Sequence, residues 1–132
     1  MSAAADTLKK VPLFASLNDK DRERIARGMT ERRFNAGDNL TEQGSSGVGF
    51  FVIEDGTADV TVDGEAKRTL GPGDSFGEIA LLSDSTRTRT ATITATTDML
   101  TYGMTPWEFK PMVESNSELA WKLLTAMAAK LA

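Results

Sequence analysis

With 132 residues, 40% of them apolar, the chain can fill one core but not two, so a single domain over 1–132 is expected. A formal charge of −4 and a pI near 4.8 exclude a protein that grips nucleic acid by neutralising phosphates, which takes a clustered basic surface. The absence of cysteine and histidine removes disulfides, thiolate nucleophiles and the commonest metal and proton-shuttle chemistry. No apolar run is long enough to span a bilayer, and the opening MSAAADTLKK lacks the core of a secretory signal, so a soluble, cytoplasmic chain with no membrane role is expected.

Along the chain, Asn18 is a good N-cap for a helix over Asp19 to Arg27 that stops at Gly28. Arg22, Arg24, Arg27, Arg32 and Arg33 cluster around it and read as a solvated face without a ligand. From Thr30 to Met104 the texture becomes short β-branched or aromatic runs between turns, at Ala36-Gly37-Asp38, Gly44, Asp55-Gly56, Asp63-Gly64 and Gly71-Pro72-Gly73-Asp74. That spacing predicts an antiparallel barrel or jelly roll. The clearest strands run over Thr57 to Val62 and over Thr86 to Thr96, where every even position is Thr. Thr105-Pro106-Trp107-Glu108 forms a capping box that opens a helix, and Ser115 with Glu118 repeats it before a last helix. That helix carries Leu119, Ala120, Leu123, Leu124, Met127 and Leu131 at helical spacing. With Trp121, the stripe reads as core by default, and also fits a lid over a ligand or a dimer seam.

The run from Gly71 to Leu82 carries the chemistry: a glycine turn, then a short helix opened by Gly77. Unpaired N–H groups at such a helix mouth, from Gly77, Ile79 and Ala80, attract an anion such as phosphate, and glycine lets it approach the backbone. Glu78, an acceptor only, suits a sugar hydroxyl beside that anion. Between Phe34 and Phe109 the basic residues are Lys67, Arg68, Arg87 and Arg89 against a dozen acidic ones, so the two arginines after this helix stand out. A guanidinium forks onto phosphate oxygens, which favours arginine over lysine here. In one continuous strand Arg87 and Arg89 project from the same face, roughly 6.6 Å apart.

The run Phe76-Gly77-Glu78-Ile79-Ala80-Leu81-Leu82 followed by Arg89-Thr90-Ala91-Thr92 resembles the phosphate-binding cassette of cyclic-nucleotide-binding domains. Leu13-Phe14-Ala15-Ser16-Leu17, Phe34-Asn35-Ala36-Gly37-Asp38, Gly44, Phe51-Val52-Ile53 and Gly56 resemble the family's other landmarks in order. The resemblance implies a mainly β fold, an eight-stranded antiparallel jelly-roll barrel with N-terminal helices over 1–29, a barrel over 30–104 with a cassette at 76–92 and its short helix, and C-terminal helices over 105–132. It implies that Glu78 holds the ribose 2′-hydroxyl and Arg89 the cyclic phosphate, with Gly77, Ile79, Ala80, Thr90 and Ala91 lining the pocket. Strict counting from the cassette puts Arg87 in the arginine's place; the Arg-Thr-Ala-Thr-Ile context puts Arg89 there, at the cost of two extra loop residues. The implied ligand is cAMP ahead of cGMP.

Two classes of function remain. One is a non-catalytic sensor whose C-terminal helices close over a cyclic nucleotide and signal to an effector, either a separate partner or the rest of a larger channel, kinase, transferase or transcription factor, since no effector follows Ala132; a homodimer through the last helix belongs to the same reading. A degenerate relative that serves as an interaction or dimerisation module without nucleotide is its alternative. The other class, a cupin-type barrel enzyme, lacks the metal-ligand cluster it would need.

Overall fold

The computed structural model describes residues 3–44, 46–47, 49–77 and 87–131. Three helices open the chain: α1 (Ala3–Leu8), α2 (Pro12–Ala15) and α3 (Asp19–Arg27). The Asn18 side chain accepts the Asp21 N–H at 2.8 Å, so α3 begins where its cap predicts, and Gly28 ends it. Arg22 does not belong to a solvated face. It is buried, its Nη1 donates to the carbonyls of Leu17 and, at 3.2 Å, Ala15, and its Nη2 meets Asp19 at 2.6 Å. Those carbonyls lie at the end of a one-turn helix and just beyond it, where the helix offers them no N–H, so the guanidinium takes the role of a C-terminal cap.

Among the described residues the strands form two four-stranded sheets and one two-stranded ribbon, all antiparallel. The first sheet has the order β1 (Thr30–Phe34), β10 (Met99–Met104), β4 (Phe50–Asp55), β7 (Ser75–Phe76). The second has the order β2 (Asn39–Thr41), β9 (Thr92–Ala95), β5 (Ala58–Val62), β6 (Glu65–Leu70), and the ribbon joins β3 (Ser46–Gly47) to β8 (Arg87–Thr88). The fold is therefore mainly β, with antiparallel sheets flanked by helices. The β5–β6 hairpin turns through Asp63 and Gly64 at φ 54° and 78°, the signature of a two-residue primed turn. Gln43 holds that turn by accepting the Asp63 N–H at 2.7 Å and donating to its carboxylate at 2.8 Å.

β4 explains why there are two cores. Its apolar run has no polar face, so alternate side chains enter opposite layers. Phe50 and Val52 join Leu8, Phe14, Ile25, Met104, Phe109, Leu119 and Leu123 under the helices. Ile53 joins Ala58, Val60, Leu70, Phe76, Ile93 and Met99 between the sheets, with Phe51 packed against them. Phe14 meets Phe50 and Phe109 edge-on at 5.6 and 6.3 Å, and Phe51 stacks on Phe76 at 5.3 Å.

Two helices close the described chain, α4 (Pro106–Glu114) and α5 (Ser117–Leu131). Glu108 reaches back to accept the Thr105 N–H at 2.9 Å, as the first capping box predicts. The second box is corrected by one residue. Ser115 closes α4 and donates to the Met112 carbonyl, while the Asn116 side chain accepts the Leu119 N–H at 3.1 Å and opens α5. The apolar stripe of α5 is also divided. Leu119 and Leu123 are buried, whereas Leu124 and Leu131, with Trp121, are exposed.

The strand expected over Thr86 to Thr96 is broken. β8 ends at Thr88 and β9 starts at Thr92, because the chain leaves the ribbon for the second sheet in between. The Arg89 carbonyl accepts the Gly44 N–H at 2.9 Å and the Ala91 carbonyl accepts the Thr41 hydroxyl at 3.2 Å, which fixes that bend. Arg87 and Arg89 therefore do not sit on one uninterrupted strand.

Candidate functional site

The site is built where the ends of β4, β7 and β8 converge. β7 pairs with β4 through Phe51 opposite Phe76 and Val52 opposite Ser75, which brings Gly77, just past β7, against Gly49, just before β4. Gly77 has φ +89°, and a Cβ on it would fall on the Gly49 carbonyl oxygen and lie 3.2 Å from the Phe50 Cα. Glycine is needed there for both reasons, the left-handed backbone and the close approach.

The same Gly49 carbonyl accepts a 2.8 Å hydrogen bond from Arg89 Nη2. Thus Gly77 and Arg89, which the sequence associates, meet through a third residue that it does not. Arg89 is half-buried, and that burial lowers its pKa from the ordinary guanidinium value, which still leaves it a cation at neutral pH. One of its five N–H donors faces Gly49. A cation partly out of water, with a planar fork and a neighbouring backbone free of side chains, is chemistry suited to a small anion.

The other predicted residues divide as follows. Thr90 is exposed at the bend, and Ala91 is half-buried against the core between the sheets. The Arg87 backbone pairs with Gly47 in the ribbon, and its side chain lies outside the described residues. Glu78, Ile79 and Ala80, with the short cassette helix, also lie outside the described residues. Gly49 is the residue that sequence reasoning missed; the one signal for it is the glycine-rich approach to the apolar run of β4. Among the described residues no group of three or more acidic side chains is placed to hold a metal, and no helix is long and apolar enough to cross a membrane.

Two features lie elsewhere. An open cleft of about 290 Å³ between α1, α3, β1 and β10 is lined by Ala26, Arg27, Glu31 and Tyr102 among others, and includes neither Gly77 nor Arg89. Beside it the Tyr102 hydroxyl donates to the Glu54 carboxylate at 2.7 Å. Desolvation, and then the hydrogen bond and charge of Glu54, push the Tyr102 pKa up to about 12. The folded state favours the neutral phenol, so this contribution to stability is complete below the unfolded value near pH 10 and is lost as pH rises towards 12. Tyr102 is the single tyrosine, so its ultraviolet titration is unambiguous. The phenolate absorbance is expected to rise with a midpoint near 12 in the native chain and to move down only part of the way in Glu54→Ala, which removes the hydrogen bond and the charge but leaves the burial that is the larger cause. A native midpoint near 10 contradicts the buried, hydrogen-bonded phenol, and a midpoint unmoved in Glu54→Ala contradicts the contact with Glu54.

The fold is a two-sheet β sandwich with flanking helices, and at one end of it Arg89 and Gly77 meet on the Gly49 carbonyl. Among known proteins, the family model described as cyclic nucleotide-binding domain matches residues 31–116. The chain belongs to that family. It is similar to the cAMP-dependent protein kinase regulatory subunit of Eremothecium gossypii, 37% identical over 112 residues, which covers 83% of this chain and 24% of that relative. The chain thus spans about a quarter of the length of that curated relative. Among solved structures, the N-terminal domain of a transcriptional regulator from Streptomyces coelicolor A3(2) is 28% identical with a TM-score of 0.87, covering 96% of this chain and 90% of that one. The regulatory domain of Toxoplasma gondii PKA, co-crystallised with cAMP, is also 28% identical, with a TM-score of 0.70 over 83% of this chain and 42% of that one.

Proposed function

We propose that this chain is a non-catalytic cyclic-nucleotide sensor that binds cAMP in preference to cGMP. The observation that carries this reading is the half-buried Arg89, held by the Gly49 carbonyl beside Gly77 with its positive φ, at the start of the cassette. In the reading, residues 1–132 are one domain, with N-terminal helices over 1–29, a barrel over 30–104 carrying the cassette at 76–92, and C-terminal helices over 105–132. The two four-stranded sheets are the halves of an eight-stranded jelly roll. Arg89 takes the cyclic phosphate through charge-assisted hydrogen bonds, and Gly77, Ile79 and Ala80 offer it backbone N–H groups. Glu78 accepts the ribose 2′-hydroxyl, Thr90 and Ala91 line the pocket, and Arg87 adds positive potential from the ribbon. The preference for cAMP is supported by the cAMP named with the Toxoplasma structure and with the Eremothecium subunit.

Binding acts on an effector through α4 and α5, which move if the ligand favours one of their arrangements over another. The effector is a partner or the remainder of a longer protein, in the cytoplasm. A second reading, an interaction or dimerisation module without nucleotide, is favoured by one observation: Trp121, Leu124 and Leu131 form an exposed apolar stripe on α5 that suits pairing with a second copy. Calorimetric titration with cAMP and cGMP separates the two. Saturable binding, tighter for cAMP and lost in Glu78→Ala, is the expected outcome, with Arg87→Ala weakening it only slightly. Loss in Arg87→Ala alone would reassign the phosphate contact, and no heat with either nucleotide would leave the interaction module.

A further inference from the structure

α5 rests on the helical core through Leu119 and Leu123, yet its outward stripe leaves Trp121 71%, Leu124 61% and Leu131 85% exposed. Apolar burial alone would not choose that position, because a position covering these side chains removes more apolar surface from water. A polar contact acts there. Lys122, between the outward Trp121 and the inward Leu123, places its Nζ 3.1 Å from Asp21 Oδ2 and 3.4 Å from Glu118 Oε1. The Asp21 side chain is only 10% exposed and that of Lys122 29%, whereas Glu118 is 81% exposed. The first contact joins residues 101 positions apart and closes α5 onto the first turn of α3. Separating it leaves a nearly buried carboxylate without its cation, so the contact resists any movement of α5 away from α3.

We propose that the Asp21–Lys122 ion pair is a latch that holds α5 with Trp121 exposed and so opposes cyclic-nucleotide binding. The inference rests on the sensor reading above, in which ligand favours an arrangement of α5 that covers the site. If a ligand binds one of two arrangements more tightly, anything that holds the other lowers its apparent affinity by the fraction so held. Asp21 and Lys122 are thus positioning residues for α5 and touch no ligand.

The test uses Lys122→Met, which keeps the apolar stem and removes the charge, in a Trp107→Phe background where emission reports Trp121 alone. The Kd for cAMP is expected to fall about two- to fivefold, the scale of a partly exposed ion pair. Trp121 emission should shift to shorter wavelength and become less accessible to acrylamide. Asp21→Asn should give the same change, the double variant should add nothing further, and Glu118→Gln should leave the Kd unchanged. An unchanged or weakened Kd in Lys122→Met overturns the latch. If the unsubstituted chain binds no cAMP, the sensor reading fails by itself, and acrylamide quenching judges the latch: reduced quenching in Lys122→Met upholds it, and unchanged quenching overturns it.

Discussion

Replacing Arg89 by alanine is expected to weaken cAMP binding at least about thirtyfold while leaving the protein folded. Truncating one side of a desolvated, hydrogen-bonded charge pair costs about 2 to 5 kcal/mol, and the half-exposed position of Arg89 argues for the lower end. The penalty to the fold is much smaller, since one hydrogen bond of 2.8 Å to the Gly49 carbonyl is lost, a matter of about 1 kcal/mol. Arg89→Lys distinguishes charge from geometry: it keeps the cation and loses the planar fork, so its Kd should fall between those of the unsubstituted chain and Arg89→Ala. Titration calorimetry with parallel thermal melts checks all three. An Arg89→Ala variant that binds cAMP within a factor of about three of the unsubstituted chain contradicts the role given to this residue.

Gly77→Ala should be the most destabilising substitution at the site, by about 3 kcal/mol or more. A non-glycine residue at φ +89° costs about 1 to 3 kcal/mol by itself. Here the added Cβ also falls on the Gly49 carbonyl and presses on the Phe50 backbone, and main-chain atoms cannot swing aside as a side chain would. Gly37→Ala isolates the second effect. Gly37 has φ +94° with nothing within 4 Å of its would-be Cβ, so only the conformational part applies. Urea unfolding of the two variants should place Gly77→Ala well below Gly37→Ala; equal losses would mean that the contact between Gly49 and Gly77 is not as close as described.

In the sequence, Gly77 stands out because its neighbours form a contiguous pattern, and Asn18 or Glu108 because a cap acts on amides within three positions. Gly49 is marked only by the glycine-rich approach to β4, which gives no hint of its role, since its part in the site is a carbonyl that meets Gly77 and Arg89 only once β4 has paired with β7. The threonine alternation through Thr86 to Thr96 misleads for a related reason. β-propensity and period-two patterning continue across Arg89 and Thr90, and the break is imposed by Gly44 and Thr41, which are remote in sequence. α1 and α2, of six and four residues, are too short to show a helical period and are held by the core they help to form. In sequence Arg22 is like any other surface arginine, because its acceptors, the carbonyls at and just past the end of α2, come together only when that turn has folded. Ser115 and Asn116 compete for a single cap, and asparagine wins by one position.

If the native fold binds a cyclic nucleotide, its melting temperature must rise when the ligand is present. At a hundredfold excess over Kd, a ligand that binds only the folded state adds roughly 2.7 kcal/mol of stability, which for a chain of this size is a rise of several degrees. That rise is expected with cAMP, a smaller one with cGMP at equal concentration, and none with 5′-AMP, whose phosphate is not cyclised onto the ribose. A melting temperature unmoved by millimolar cAMP, or raised equally by 5′-AMP, would contradict cyclic-nucleotide binding.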